Sequence, residues 1–448
     1  MDLGARMRVA VVGGGWAGLA AAVELLAAGV EVVVHEAARR LGGRARSVVM
    51  HGQRLDNGQH ILSGAYGETL RLMQQVGADP ARLLHRVPLA LCFPGAASER
   101  PFALRLPRLP APWHLAVGLF SARGASLGEK LAALRCLRRW QGTGYRLAAD
   151  CSLAALLDHD RQFGALRRFL WEPLCLAALN TPAADASAQV FLNVLRDTVG
   201  GARAASDLLL PAVELDALFA QPAAEFIRAH GGEIRLSARV EQIGESLGIA
   251  GERYAAVVLA VDAPHAAALL AQHGQTADLA RLLAGYRCEP IATVYCAYPR
   301  ELRLSEPMLG LAGGSPTRVG QWVFDRGALC GNDGLLAFVL SGRGAWEELD
   351  NSALFAALAG ELAGVLRRRL PDPAWVRVVR ERRATYSCRP GLPRPAAQTA
   401  RRGVWLAGDY VCDEYPATLE AAVRSGVAAA RGILGAPAAG QRAGNGLT

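Results

Sequence analysis

The sequence predicts an α/β fold in which a doubly wound parallel sheet is interrupted by an inserted domain of mixed sheet and helices. Near the start, residues 8–12 and 30–36 read as β-branched strands around the buried helix 17–28, which makes a βαβ unit. Near the other end, the apolar strand 403–407 precedes a helix at 416–434. A sheet that draws on both ends of the chain must carry the remaining domain as an insertion.

The chain between these ends carries two kinds of pattern. From about residue 86 to 215 it is rich in Leu, Ala and Arg at helical spacing, which predicts a mostly helical region. Alternating or apolar runs elsewhere predict strands at 232–243, 254–261, 291–297, 320–325 and 335–340, and helices at 68–76 and 351–369.

Composition limits the class of protein. The 448 residues are too many for one ordinary core, so we expect two domains. No leader peptide is expected, and uncharged runs stop at about 15 residues, short of the roughly 20 that span a bilayer. Nine scattered cysteines without a C-x-x-C spacing argue against a metal site and against disulfides, and favour the reducing cytoplasm.

The net charge of +9 is concentrated in one segment, residues 100–146. This segment also holds Trp113, Phe120 and several leucines, a combination that suits an anionic membrane surface. An ordinary solvated face is the alternative, and no recognition motif supports nucleic acid. A single Glu129 opposes its cations, which are Arg100, Arg105, Arg108, Arg123, Lys130, Arg135, Arg138, Arg139 and Arg146.

A glycine-rich turn follows the first strand with the spacing Gly13-x-Gly15-x-x-Gly18. The first glycine permits a tight turn, the second lets backbone approach a pyrophosphate, and the third lets helix and strand pack closely. Glu36 ends the second strand, where its carboxylate accepts hydrogen bonds from a ribose diol and would repel a 2′-phosphate. The sequence therefore predicts a dinucleotide site, and one that disfavours NADP.

The residues after Glu36 indicate whether the bound dinucleotide is a flavin or a nicotinamide cofactor. Arg40, Gly42, Gly43 and Arg44 follow in the pattern E-A-x-x-R-x-G-G-R, which resembles the FAD proteins of the amine oxidase and phytoene desaturase superfamily. Glycines allow a second approach of backbone to the dinucleotide, and arginines neutralise its phosphates.

A third matching piece lies near the other end of the chain, at Gly408-Asp409 and at the helix start Ala417-Thr418-Leu419. In that superfamily the helix N-terminus faces the flavin edge where negative charge collects. The resemblance implies an amine oxidase-like fold with a discontinuous Rossmann-type FAD domain. The implied FAD contacts are Gly13, Gly15, Trp16, Ala17, Gly18, Glu36, Ala37, Arg40, Gly42, Gly43, Arg44, Gly58, Gln59, His60, Val240, Gly408, Asp409, Ala417, Thr418 and Leu419.

We expect the FAD-binding domain to consist of residues 1–85, 222–284 and 398–436. Residues 86–221 and 285–397 would form the substrate and membrane-facing domain. Residues 437–448, rich in Gly and Ala, are expected to be a loose tail.

One polar stretch indicates a particular family within this superfamily. It is the run Leu55-Asp56-Asn57-Gly58-Gln59-His60, followed by Gly64-Ala65-Tyr66. It resembles the D-N-G-Q-H-x-x-x-G-A-Y signature of the hydroxysqualene dehydroxylases, FAD proteins of hopanoid synthesis. Further motifs that resemble this family stand at 171–174, 180–181, 383–385, 390–392, 416–418 and 423–426. Two departures are Ala421, where the family has Gly, and the acidic Asp413-Glu414.

The resemblance implies the reductive loss of an allylic hydroxyl, in which hydroxysqualene and reduced FAD give squalene, water and oxidised FAD. The departing hydroxide needs a proton donor, and the allylic cation then receives hydride from flavin N5 with water excluded. A substrate of this kind dissolves in the lipid bilayer, so we expect a peripheral protein at the inner face of the cytoplasmic membrane. Segment 100–146 would contact that membrane.

Candidate acids are Asp56 and His60, followed by Asp409, Asp413 and Tyr415. For Asp56 the alternative is a turn-capping carboxylate, and for His60 a structural hydrogen bond in the wall of the flavin site. Asn180 and Thr181 would bind substrate or cap a helix. The full set of implied substrate residues is Asn57, Trp171, Asn180, Thr181 and Tyr386.

Other functions stay open on sequence alone. A carotenoid-type desaturase would share the fold and run hydride the opposite way. An amine oxidase would need a pocket for a cation, which nothing in the sequence requires. A non-catalytic flavin or lipid-carrying partner of a synthase is the remaining alternative. The chain has a single G-x-G-x-x-G, so we expect an external electron donor, and a hydroxysqualene-forming synthase is a candidate partner.

Overall fold

The computed structural model describes residues 7–96, 100–311, 318–412 and 414–435. The proposed tail at 437–448 and the candidate acid Asp413 lie outside these residues. The described chain has two five-stranded sheets, four smaller sheets of two or three strands, and a mainly helical region.

The helices are numbered in chain order. They are α1 (Trp16–Ala27), α2 (Gly67–Gln75), α3 (Pro80–Leu83), α4 (Trp113–Ser121), α5 (Leu127–Gly142), α6 (Leu153–His159), α7 (Gly164–Leu166), α8 (Glu172–Leu179), α9 (Ala188–Val199), α10 (Gln221–Ala229), α11 (Ala263–Leu270), α12 (Ala277–Ala284), α13 (Arg326–Cys330), α14 (Asn351–Leu366) and α15 (Leu419–Ile433).

The strands are numbered in the same way. They are β1 (Arg8–Val12), β2 (Glu31–His35), β3 (Ser47–Met50), β4 (Gln53–Asp56), β5 (Leu62–Ser63), β6 (Leu84–Val87), β7 (Ala90–Phe93), β8 (Phe102–Arg105), β9 (Leu208–Pro211), β10 (Glu233–Arg235), β11 (Gly248–Ile249), β12 (Glu252–Arg253), β13 (Ala256–Leu259), β14 (Cys288–Ala297), β15 (Met308–Gly310), β16 (Trp322–Asp325), β17 (Leu335–Ser341), β18 (Trp375–Tyr386) and β19 (Val404–Leu406).

The first sheet is parallel throughout, with strand order β10-β2-β1-β13-β19. Its β-branched strands are buried on both faces, as expected of a parallel sheet covered by helices. The prediction of an α/β fold with a parallel sheet is confirmed. The sheet also takes strands from widely separated parts of the chain, while the exact domain bounds stay a prediction.

The second sheet has the order β15-β16-β17-β14-β18, and all four pairings are antiparallel. The sequence predicts a mixed sheet here, and the structure corrects that detail. The strands β15, β16 and β17 pair in sequence order, and each runs opposite to the strand before it. Helix α14 packs its buried Leu354, Leu358 and Leu362 against this sheet.

Two further differences concern local structure. The region 86–215 contains most of the helices of the insertion, but it also contributes strands β7, β8 and β9, which a helical pattern does not predict. The expected strand 232–243 stops at Arg235. Beyond that residue the chain leaves the sheet edge and follows the loop after β2, where Ser237 N donates to Ala38 O at 3.0 Å.

Within the described ranges, the helices are all too short or too polar to cross a bilayer.

Helices α1 and α15 pack closely on one face of the parallel sheet, and Gly426 sets their separation. A Cβ added at Gly426 would lie 2.1 Å from the carbonyl oxygen of Ala17. The N-terminus of α15 therefore reaches the nucleotide motif only because a residue without a side chain stands at this contact.

We predict that Gly426→Ala lowers the free energy of unfolding by about 1–3 kcal/mol, because the methyl group must push α15 away from α1. Gly360→Ala is the matched control, since Gly360 lies within α14 and nothing would come within 4 Å of its Cβ. That change should stabilise by roughly 0.5–1 kcal/mol through helix propensity. Denaturant unfolding of both variants measures the difference, and equal effects would contradict the packing argument.

Candidate active site

The glycine motif forms a cradle between β1 and α1. Gly13 has φ +112°, and a Cβ there would lie 2.4 Å from Ala260 O. A Cβ on Gly18 would lie 1.9 Å from Gly13 O. Helix α1 begins after Gly15 without a side-chain cap, so its first N–H groups are available to a phosphate.

Glu36 lies beside this cradle, as predicted from its place at the end of β2. Its Oε2 accepts from Gly14 N at 2.6 Å, and its Oε1 accepts from Ala38 N at 2.7 Å. Each carboxylate oxygen has a second lone pair that a ribose hydroxyl can use. The segment that leads to Val240 also passes Glu36, because Ala238 N, two residues before Val240, donates to Glu36 O at 2.9 Å.

Two other predicted contacts of the motif take part in packing. The Trp16 indole donates to Ala45 O at 3.2 Å and its ring lies 5.1 Å from that of Phe219. Ala17 is buried against Gly426. Ala37 and Arg40, in contrast, are exposed at the mouth of the cradle.

The Gly42-Gly43-Arg44 turn lies against the first motif. Gly42 N donates to Gly14 O at 2.8 Å, and Gly42 and Gly43 both have positive φ. Arg44 donates to Asp409 Oδ2 at 2.8 Å and to Ala384 O at 2.6 Å. The Asp409 carboxylate raises the pKa of Arg44. One guanidinium thus joins the two ends of the chain that the sequence assigns to the nucleotide site.

Helix α15 begins at Leu419 beside this ion pair. Thr418 is its N-cap and accepts from Ala421 N at 3.1 Å, while Gly408 N donates to Ser425 Oγ at 2.7 Å. A second helix N-terminus, next to Ala417, therefore points its positive dipole end into the site. The turn glycines, two helix N-termini, a ribose-binding carboxylate and a cation fit FAD, and these residues would hold it.

The 55–60 loop lies where β4 ends, and Asp56 is fully buried beneath it. Asp56 Oδ1 accepts from Leu215 N at 2.8 Å and from Ser47 Oγ at 3.3 Å. Its Oδ2 pairs with Arg326 Nη1 at 3.3 Å. Burial raises the pKa of Asp56, while Arg326 and the Leu215 N–H oppose that rise.

Arg326 is the residue that sequence reasoning missed. It is 0% exposed, and its Nη1 also donates to Gln59 Oε1 at 2.9 Å. Asp56 and Gln59 thus turn away from the loop surface and hold a buried cation. Nothing local in the sequence identifies Arg326, because its partners stand some 270 positions earlier.

His60 is partly buried, with Nδ1 3.0 Å from Gly58 O. Burial lowers the pKa of His60, and the bond to the Gly58 carbonyl opposes that shift. With Nδ1 donating to this carbonyl, Nε2 faces the site, where it accepts a hydrogen bond when the ring is neutral and donates one when the ring is protonated. The adjacent Gly58 has φ +126°, a conformation that favours glycine.

The remaining candidate acids are engaged by other groups. Asp409 pairs with Arg44. The Tyr415 hydroxyl is bonded to the Asp197 carboxylate, and Arg424 lies over its ring at 4.2 Å. Burial raises the pKa of Tyr415 further. His60 is the candidate within the described residues that the structure leaves most free to meet a substrate.

The predicted substrate residues are largely committed to bonds within the chain. Asn180 ends α8 with φ +48°, donates to Thr385 Oγ1 at 2.9 Å and accepts from Gly342 N at 2.6 Å. Thr181 Oγ1 accepts from Cys388 N at 3.0 Å. These contacts favour the alternative of a helix end tied to the antiparallel sheet, and substrate binding by the pair stays an untested prediction.

Three other predicted substrate residues make similar contacts. The Trp171 indole donates to Gln162 Oε1 at 3.1 Å inside the helical region. The Tyr386 hydroxyl donates to Tyr415 O at 3.2 Å. Asn57 donates weakly to Arg44 O at 3.4 Å, which places it beside the FAD cradle.

The fold and the cradle define a dinucleotide-binding flavoprotein, and a comparison with known families agrees. The family model described as flavin containing amine oxidoreductase matches residues 16–434. The chain belongs to this family and is an FAD-dependent oxidoreductase.

Relatives of known name align with almost the whole chain. Hydroxysqualene dehydroxylase of Rhodopseudomonas palustris is 29% identical over 96% of this chain and 98% of its own. The enzyme of that name from Zymomonas mobilis is 27% identical over 94% and 97%. Zeta-carotene desaturase of Synechocystis is 24% identical over 96% and 97%.

Among solved structures, a triple mutant of putrescine oxidase superposes with a TM-score of 0.72 at 18% identity, covering 96% of this chain and 99% of that one. This likeness shows the fold.

We predict that Asp56 and Arg326 act as a stabilising pair under the loop. Arg326→Met should lower the free energy of unfolding by about 3–5 kcal/mol, because it leaves a buried carboxylate unpaired. The double variant Asp56→Asn/Arg326→Met should lose less free energy of unfolding than the two single variants lose together, and the difference should be roughly 0.5–3 kcal/mol. Denaturant unfolding of the four proteins measures that difference.

Arg54 supplies the control, since it pairs with Asp216 at 3.1 Å with its side chain 52% exposed. Arg54→Met should cost only about 0–1 kcal/mol. Additive effects of Asp56→Asn and Arg326→Met would contradict the pairing.

Proposed function

We propose that the protein catalyses the reductive dehydroxylation of hydroxysqualene to squalene. The observation that carries this proposal is the near full-length similarity, at 27–29% identity, to proteins named hydroxysqualene dehydroxylase. The 55–60 loop supports it, because its residues lie together beside the FAD cradle in the order that the family signature implies.

The reaction breaks an allylic carbon–oxygen bond, forms a carbon–hydrogen bond and releases water. Reduced FAD, when bound, supplies the hydride and becomes oxidised. Among the residues of this chain, His60 is our choice for the proton that leaves with the hydroxyl. Because burial lowers the pKa of His60, its protonated ring is a stronger acid than an ordinary imidazolium. Its Nδ1 would stay on Gly58 O while Nε2 gives up the proton.

A carotenoid-type desaturation is the second candidate, favoured by the similarity to zeta-carotene desaturase at 24% identity. It would use the same site with hydride passing from the isoprenoid to FAD. The greater identity of the dehydroxylases makes reduction of a hydroxylated substrate the stronger proposal.

One anaerobic assay separates the two reactions. Enzyme reduced with dithionite should convert hydroxysqualene to squalene with a stoichiometric return of the oxidised flavin spectrum. Oxidised enzyme should leave squalene and zeta-carotene unchanged. A polyene formed from either by the oxidised enzyme, without squalene from hydroxysqualene, would overturn the proposal.

We also propose an external electron donor and an association with a hydroxysqualene-forming synthase. The chain has one dinucleotide motif, and this motif is predicted to bind FAD, so the sequence offers no second motif for a nicotinamide donor. Passing the substrate directly from a synthase would keep an insoluble isoprenoid out of water.

The partner surface we propose is an anionic membrane, met by an apolar patch that we call the α4 patch. On α4, Trp113, Val117 and Phe120 are 66%, 41% and 48% exposed and share one helix face. The opposite face is buried through His114, Gly118 and Leu119. Leu109, Leu127 and Phe163 complete the patch with exposures of 39%, 62% and 54%.

The patch is concentrated and framed by positive charge. Six of the ten exposed large apolar side chains found in the described residues belong to it. Phe163 lies near Leu127 because Glu129, in the first turn of α5, accepts from Ala165 N. The arginines of segment 100–146 are all exposed, and three of them, Arg105, Arg139 and Arg146, form salt bridges with Glu306, Asp160 and Glu414. An apolar face with a basic rim suits the interface of an anionic bilayer, which would place the protein peripherally at the inner face of the cytoplasmic membrane.

We predict that Trp113→Ala and Phe120→Ala each lower partitioning onto phosphatidylglycerol vesicles by roughly 10- to 100-fold, because each removes roughly 1.5–3 kcal/mol of apolar burial. Vesicle sedimentation measures this, and phosphatidylcholine vesicles should bind the wild type more weakly. Val49→Ala and Leu236→Ala are matched controls, since these side chains are 61% and 40% exposed outside the patch. Equal partitioning of all four variants would refute the membrane role of the patch.

A further inference from the structure

Thr293 is a buried polar residue that no contact in the described structure explains. It stands in the middle of β14, the strand between β17 and β18, and is 1% exposed. Its Oγ1 has no hydrogen-bond partner among the described residues. A buried hydroxyl without a partner is destabilising, so such a group is expected to meet a ligand or an ordered water.

The neighbours of Thr293 within the sheet do not provide a partner. Its register partners are Val339 on β17 and Val379 on β18. Ile291 and Tyr295 lie on the same face of β14, two residues away on either side. The Tyr295 hydroxyl already donates to Asp56 O at 3.0 Å. The 55–60 loop packs on this face of β14, since Tyr295 is bonded to Asp56 and Thr293 Oγ1 lies close to Gly58.

On that side Thr293 meets Gly58 and His60. The position of a Cβ on Gly58 would be 3.6 Å from Thr293 Oγ1 and 3.9 Å from His60 Cε1. The hydroxyl and the imidazole therefore lie on either side of the same glycine, each at ordinary contact distance from a Cβ placed there. Asp56 and Gln59 turn inward to Arg326, and among the described residues Thr293 and His60 are the side chains within 4 Å of a Cβ placed on Gly58.

We propose that Thr293 is a ligand-binding residue of the active site, whose hydroxyl forms a hydrogen bond with a nitrogen or oxygen atom of the group bound against Gly58. A threonine hydroxyl both donates and accepts, so it can serve either partner that the site would hold. One source of such an atom is the polar edge of the isoalloxazine ring. The other, which rests on the proposed function, is the substrate hydroxyl that departs as water.

The test is Thr293→Val, which removes the hydroxyl and keeps the shape. Because Oγ1 has no partner in the protein, the apoprotein variant should melt at or above the wild-type temperature. If the ring edge is the partner, FAD should bind about five- to tenfold more weakly, as expected for one lost hydrogen bond. The flavin absorption maximum and midpoint potential should shift as well, without substrate.

If the substrate hydroxyl is the partner, the flavin properties should stay unchanged and kcat/KM for hydroxysqualene should fall about tenfold or more. Thr293→Ser should restore the affected readout in either case. Thr276→Val is the matched control, since Thr276 is also 1% exposed but donates to Leu270 O at 2.6 Å. It should lower the melting temperature and leave flavin and turnover unchanged.

Wild-type flavin properties and wild-type turnover in Thr293→Val would overturn the proposal. Should the wild-type enzyme fail to convert hydroxysqualene, the proposed function fails, and the substrate-free flavin readout alone then decides for or against Thr293.

Discussion

The ion pair of Asp56 and Arg326 is the interaction on which the arrangement of the active site depends. Both side chains are fully buried, and they join the end of β4 to the start of α13 beyond the antiparallel sheet. Two charges removed from water need further hydrogen bonds. Leu215 N and Ser47 Oγ donate to Asp56, and Gln59 accepts from Arg326 Nη1, while Arg326 Nε and Nη2 have no partner among the described residues. The 55–60 loop is therefore held in place by its contacts with the buried Arg326.

This anchoring decides which side chains of the loop are available for chemistry. Asp56 and Gln59 take part in the anchor, so the partly exposed His60 lies on one side of the buried Gly58 and Thr293 on the other. The Arg44–Asp409 pair performs a similar task for the cofactor, because it joins the Gly-Gly-Arg turn to the strand end before α15. Two ion pairs thus align the cradle for FAD with the place where a substrate would meet it.

Part of this could be read from local patterns. Glycine spacing, the acid at the end of β2 and the strand–helix order predicted the parallel sheet and the FAD site. The antiparallel sheet was predicted as mixed, because single strands carry no mark of their partner's direction. Asn180 and Thr181 fit a substrate role equally well from sequence, and their bonds to Thr385 and Cys388 come from residues about 200 positions later.

The sequence by itself determined the fold class and the dinucleotide site, since these depend on short-range spacing and on which residue types can turn a chain or approach a phosphate. The resemblance of its motifs to a flavoprotein family implied FAD and singled out the motif at 55–60. Only the tertiary structure decided that Asp56 is an anchor, that Arg326 is its partner and that Thr293 stands unpaired beside Gly58. The physical reason is that a carboxylate's role depends on its desolvation and on the charges around it, and folding brings those charges from distant parts of the chain.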